Sequence, residues 1–125
     1  LQRPQSLQYR QHQSYLDKNK ANLINPAVSY LKKHIYDCDL KTEILPGLCG
    51  ISGTYFRKIF KSNFSASPKD YILARRLSHA KALFDSGDFN SVSEVALSSG
   101  YTDALYFCRV FKKKYGVCPS EYAGL

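Results

Sequence analysis

The chain carries the same stretch twice. Residues 55–71 shifted by 51 positions fall on 106–122, and six of the seventeen pairs are identical: Tyr55/Tyr106, Phe56/Phe107, Phe60/Phe111, Lys61/Lys112, Pro68/Pro119 and Tyr71/Tyr122. Five more are similar: Lys58/Arg109, Ile59/Val110, Phe64/Tyr115, Ala66/Val117 and Asp70/Glu121. With one residue inserted, Gly50 and Gly100 also pair. A repeat of this kind is one supersecondary unit used twice, so the chain is expected to form two similar lobes.

In both copies the apolar residues recur at spacings of three and four, the period of an amphipathic helix. The first copy predicts a helix over 53–62 with Tyr55, Phe56, Ile59 and Phe60 inward and Thr54, Arg57, Lys58 and Lys61 outward. The second predicts a helix over 103–114 with Tyr106, Phe107, Val110 and Phe111 inward. Its outer face carries Ala104, Leu105, Arg109, Lys112 and Lys113. Asn25-Pro26 reads as an N-cap and first helical residue, opening a helix over 26–37. Residues 41–49 hold Ile44, Leu45 and Leu48, but Pro46 and Gly47 interrupt them. Ser67-Pro68 opens a helix over 68–86 marked by Leu73, Leu77, Ala80 and Phe84. Ser91 and Glu94 form a capping box before a helix over 92–98, and a last short helix starts at Pro119. No segment alternates as a strand would, so the expected fold is all-α. The organisation reads as 1–24, a Gln-rich linker or the end of an upstream region; 25–66, a first lobe; 67–87, a joining helix; and 88–125, a second lobe.

Each lobe reads as short helix, glycine turn and a second helix with an aromatic inner face and a basic outer face. This is the pattern of a helix-turn-helix, whose second helix meets base edges in the major groove. Arg can pair bidentately with guanine there, and Lys can bind phosphate. Arg57 and Arg109 are the expected base readers; Lys58, Lys61, Lys112 and Lys113 are the expected phosphate contacts. Lys69 and Lys81 read as solvated surface, and Arg76 as structural, expected to pair with an acid across the lobe junction. The joining helix of about 18 residues would be roughly 27 Å long. Successive major-groove faces lie about 34 Å apart, so two such helices suit adjacent turns of one duplex and an asymmetric site.

The charge agrees with this reading. The chain of 125 residues carries a net charge of +8, unevenly: +6 over 57–81, −4 over 82–108 and +3 over 109–125. Its apolar content of 44% suffices for a core, and its apolar runs are too short for a membrane span. Cysteines at 38, 49, 108 and 118 lie at least ten residues apart, without metal-ligand spacing, and read as buried thiols in a reducing cytoplasm. No Ser-His-Asp set, paired carboxylate or phosphate-binding loop points to an enzyme, and no cofactor is expected. The competing reading is a basic helical module for RNA or an acidic protein.

The stretch Ser91-Val-Ser-Glu-Val-Ala-Leu-Ser-Ser-Gly-Tyr-Thr-Asp, followed by Tyr106-Phe107, Arg109, Phe111, Tyr115-Gly116, Pro119 and Tyr122, resembles the AraC/XylS family of bacterial transcription regulators. Ser67-Pro68-Lys-Asp-Tyr71-Ile72 with Arg76-Leu77 and Ala80 is similar to that family's linker helix. The resemblance covers about 25–122. It implies about seven helices in two homeodomain-like helix-turn-helix lobes and sequence-specific binding of double-stranded promoter DNA, as an activator touching RNA polymerase. It places base reading at Thr54, Arg57 and Lys58 in one lobe and at Ala104, Leu105, Tyr106 and Arg109 in the other. It also implies a sensory, dimerisation or receiver domain on the N-terminal side, a cytoplasmic site of action at the nucleoid, and no membrane. Leu1 in place of an initiating Met fits a fragment or processed product. The sequence departs from the family pattern at Pro46, where a small residue is usual, so the support helix of the first lobe is expected to start late or kink. Ala104 and Leu105 are poor in hydrogen-bonding groups, which leaves Arg109 and contact with thymine methyls. Ala123 stands where Arg is common. Cys108 and Cys118 stand where Ser or Thr is common, which favours a structural role for both.

Overall fold

The structure, a computed structural model, describes residues 19–125. Most of the Gln-rich segment lies outside the described residues. Residues 19–23 are helical and lead into α1 (Asn25–His34). A 3-10 turn (Thr42–Ile44), α2 (Leu45–Leu48) and α3 (Gly53–Phe64) follow. Then come α4 (Pro68–Ser86), α5 (Val92–Ser98), α6 (Ala104–Tyr115) and α7 (Pro119–Tyr122). Among the described residues there is no strand. Two compact units result among the described residues: those up to Lys33 with Lys41–Pro68, and His34–Leu40 with Lys69–Leu125.

The first unit buries Ile24, Ala27 and Leu31 from its opening helix, Leu45 from α2, and Phe56, Ile59 and Phe60 from α3. α1 starts at Asn25, one residue before the expected first position, so Asn25 opens the helix but does not cap it. The Val28 N–H donates to the Ile24 carbonyl at 3.0 Å, which puts Ile24 at the cap position, and the Ile24 N–H turns back onto the Ala21 carbonyl at 3.2 Å. Pro26 falls in the first turn, where no backbone N–H is needed, and Ile24 is fully buried just ahead of it. α1 also ends at His34 rather than near 37, where the Asp37 N–H turns back onto the His34 carbonyl at 3.0 Å. Pro46 keeps α2 to four residues with a 3-10 turn before it, because Pro is accepted only in the first turn.

α3 and α6 are each twelve residues long and are ended alike. Ser65 (φ 59°) and Gly116 (φ 85°) take the left-handed conformation, and their N–H groups donate to the carbonyls of Lys61 and Lys112. The repeat seen in the sequence is therefore matched in the length and the ending of these two helices.

The second unit is built on α4, which contributes Leu77, Ala80 and Phe84 to one core with Val95, Ala96, Tyr101, Phe107 and Phe111. Phe84 meets Phe111 edge to face, with centroids 5.7 Å apart and planes at 90°. Ser91 Oγ caps α5 by accepting from the Glu94 N–H at 3.1 Å, while the Glu94 carboxylate accepts from Asn90. Lys81, expected as solvated surface, keeps a partly exposed side chain and pairs with Asp85 at 2.9 Å, and Asp85 also accepts from the Tyr122 hydroxyl, tying α7 to α4.

Candidate nucleic-acid interface

Serine and aspartate start the two outward-facing helices. Ser52 Oγ accepts from the Tyr55 N–H at 3.2 Å. Asp103 Oδ1 accepts from the N–H groups of Leu105 and Tyr106 at 3.0 and 3.1 Å. Before them, Gly50 (φ 65°) and Gly100 (φ 101°) make the sharp turn from the preceding helix, a backbone region closed to most side chains.

On α3, Thr54, Arg57, Lys58 and Lys61 are all exposed. Arg57 folds back over the start of its own helix: Nη2 donates to Thr54 Oγ1 at 3.4 Å, and Gly53 leaves the room, since a Cβ there would lie 3.0 Å from Nη1. On α6, Leu105 is 78% exposed, Arg109, Lys112 and Lys113 are exposed, and Ala104 is half-buried. The Arg109 Cζ lies 5.9 Å from the centroid of the Tyr106 ring, one turn earlier, a cation–π contact. Lys112, Lys113 and Lys114 crowd the last turn of α6, where positive charge also suits the helix dipole.

Tyr55 and Tyr106, expected to pack inward with their hydroxyls reaching outward, are less buried than their spacing suggests. They are 39% and 40% exposed and stand at the edge of the basic faces. A phenol at the border of the buried arc packs its ring and leaves its hydroxyl wet. Lys20, Tyr55, Lys58, Ile59, Ser62 and Asn63 line a hollow of about 280 Å³ beside the outer face of α3. No spacing in the sequence joins Lys20 to this face, because it reaches there only through the tertiary packing of the opening helix.

The two arginines are not equivalent. In the register of the repeat Arg109 matches Lys58, and Arg57 matches Cys108. Cys108 is half-buried, and burial, with Cys118 adding to it, pushes its thiol up, which fits a packing role. Among the described residues Arg76 pairs with no acid. Its Nε donates to the Ile35 carbonyl at 2.7 Å and its Nη2 to the Asp37 carbonyl at 2.8 Å. Among the described residues no group of three or more His, Cys, Asp or Glu could hold a metal ion, and no helix is long and apolar enough to cross a membrane.

Comparison with known proteins agrees with this geometry. The helix-turn-helix domain family matches residues 48–124. The MmsAB operon regulatory protein of Pseudomonas aeruginosa is 33% identical over 94 residues, 75% of this chain and 30% of that protein. The transcriptional activator RhrA of Rhizobium meliloti is 46% identical over 52 residues, 41% of this chain and 17% of that protein. The structure of a probable AraC family transcriptional regulator from Rhodopseudomonas palustris superposes with a TM-score of 0.67 at 28% identity, covering 82% of this chain and 95% of that one. The chain spans about a third of the length of the first curated relatives it matches. With its two capped helix-turn-helix units and these matches, the chain belongs to the AraC family of helix-turn-helix DNA-binding transcription regulators.

Proposed function

We propose that this chain reads an asymmetric double-stranded promoter site, with α3 and α6 entering adjacent major grooves. The observation that carries this reading is the pair of equal-length helices, each capped and turned alike and each presenting a basic outer face. Arg57 and Arg109 read bases, with Thr54, Ala104, Leu105 and Tyr106 beside them. Leu105, exposed and apolar, suits a thymine methyl. Lys58, Lys61, Lys112 and Lys113 hold phosphates and set the register. The head-to-tail repeat within one chain gives the site no two-fold symmetry, so it is asymmetric.

The chain acts within a longer regulator that supplies a sensor, dimerisation or receiver domain, and it activates transcription at the nucleoid through contact with RNA polymerase. The names of relatives such as the transcriptional activator RhrA support activation. Selection of bound duplexes from a random library tests the DNA reading. One asymmetric duplex should emerge, with log K falling linearly in log salt. Equal binding to single strands, or affinity that survives high salt, would overturn it in favour of an RNA or acidic-protein partner.

A further inference from the structure

The Arg76 guanidinium lies at the turn that launches α6. Beyond its bonds to the Ile35 and Asp37 carbonyls, its Cζ stands 5.5 Å from the centroid of the Tyr101 ring. It fills the space over Gly100 so closely that a Cβ there would lie 2.6 Å from Nε and 2.7 Å from Cζ. Tyr101 is 8% exposed, and its ring packs on Tyr106 and Phe107, with centroids 6.0 and 5.5 Å away. Tyr106 in turn lies under Arg109. A continuous stack thus runs Arg76–Tyr101–Tyr106–Arg109, from the buried side of the turn to the exposed face of α6. Only a planar guanidinium can donate to two carbonyls and cover a ring and a glycine at once.

We propose that Arg76 is a positioning residue for DNA reading by the second lobe: it fixes the Gly100–Tyr101 turn and, through Tyr101 and Tyr106, the seat of the Arg109 side chain. This rests on the reading of α6 proposed above. Arg76 itself touches no base. Its effect is on which base Arg109 prefers, and not on the overall attraction for phosphate.

The test uses the chain and the duplex selected by it, with each base pair of the site substituted in turn. R57A and R109A first mark the positions read by each lobe. Arg76→Lys keeps the charge but replaces the fork with a single amine, and it should cut discrimination at the Arg109 positions about fivefold or more, the low end of what one base contact is worth. The Arg57 positions should keep their preference. Arg76→Ala should do the same where circular dichroism shows the helices retained, and Arg76→Lys decides the matter where Arg76→Ala does not fold. Wild-type preference in Arg76→Lys would overturn the proposal, as would an equal loss at the positions of both lobes. A uniform loss in Arg76→Ala that Arg76→Lys restores would show a charge effect only and would also overturn it. If R109A left every preference unchanged, the base-reading role of α6 would itself fall, and this proposal with it.

Discussion

Asp103 stands to α6 as Ser52 stands to α3: 51 residues apart, each closes the first turn of its helix with a side-chain oxygen. Orphan N–H groups at a helix start must find acceptors, and these two residues supply them at the start of the two helices proposed to meet DNA. Ser52→Ala and Asp103→Ala should each lower stability by about 1 kcal/mol in chemical denaturation. Asp103→Ser should recover most of that loss, because a hydroxyl can cap as well.

Arg109 and Lys112 should behave differently on DNA. Arg109→Ala is expected to cost about 1–3 kcal/mol in binding and to relax one base preference. Lys112→Ala should weaken all sequences alike and reduce the salt slope by about one. Identical behaviour of the two variants across a panel of substituted duplexes would show that the division of roles is wrong.

Ser65 carries a cost that Gly116 avoids. Both hold the left-handed position after their helices, yet only one is glycine. Nothing lies within 4 Å of a Cβ placed on Gly116, so a substitution there meets only backbone strain. Ser65→Gly should therefore stabilise the chain, and Gly116→Ser should destabilise it, each by about 1 kcal/mol in thermal melts.

Tyr101 buries a hydroxyl that has no hydrogen-bond partner among the described residues, and burial pushes its pKa up to about 12. Tyr101→Phe keeps the ring contacts and removes the unpaired group. Its melting temperature should equal or exceed that of the wild type, whereas Tyr101→Ala should cost about 3–5 kcal/mol, as for other buried aromatics.

His79 predicts a loss of stability in acid. It stacks on Tyr36 with centroids 4.1 Å apart and bonds through Nδ1 to the buried Ser99 hydroxyl at 3.2 Å. Burial lowers its pKa from the usual 6.5, so the fold favours the neutral ring. Its contribution is complete above 6.5 and is lost as pH falls through the lowered folded value. Melts of wild type and His79→Gln from pH 7.5 to 5 should diverge in that window, with the wild type showing the steeper loss.

Much of this was legible in the residues. Ser91 with Glu94, Pro68 and the glycines mark the starts of α5 and α4 and the two sharp corners where the structure has them. Local chemistry decides these features, because a cap or a turn needs only its own neighbours. Asn25-Pro26 marks the start of α1 in the same way, one residue out, since Asn25 is the first helical residue and not the cap.

The sequence by itself determined the doubled helix-turn-helix plan, the all-α class and the outward lysines and arginines, since periodicity and repetition are written along one chain. Tertiary structure alone decided where Tyr55 and Tyr106 stand, because both lie at the border of a helix face, where spacing cannot separate in from out. It also decided that Arg76 serves carbonyls rather than an acid. Those carbonyls lie some forty residues upstream, and backbone acceptors leave no mark in side-chain identity.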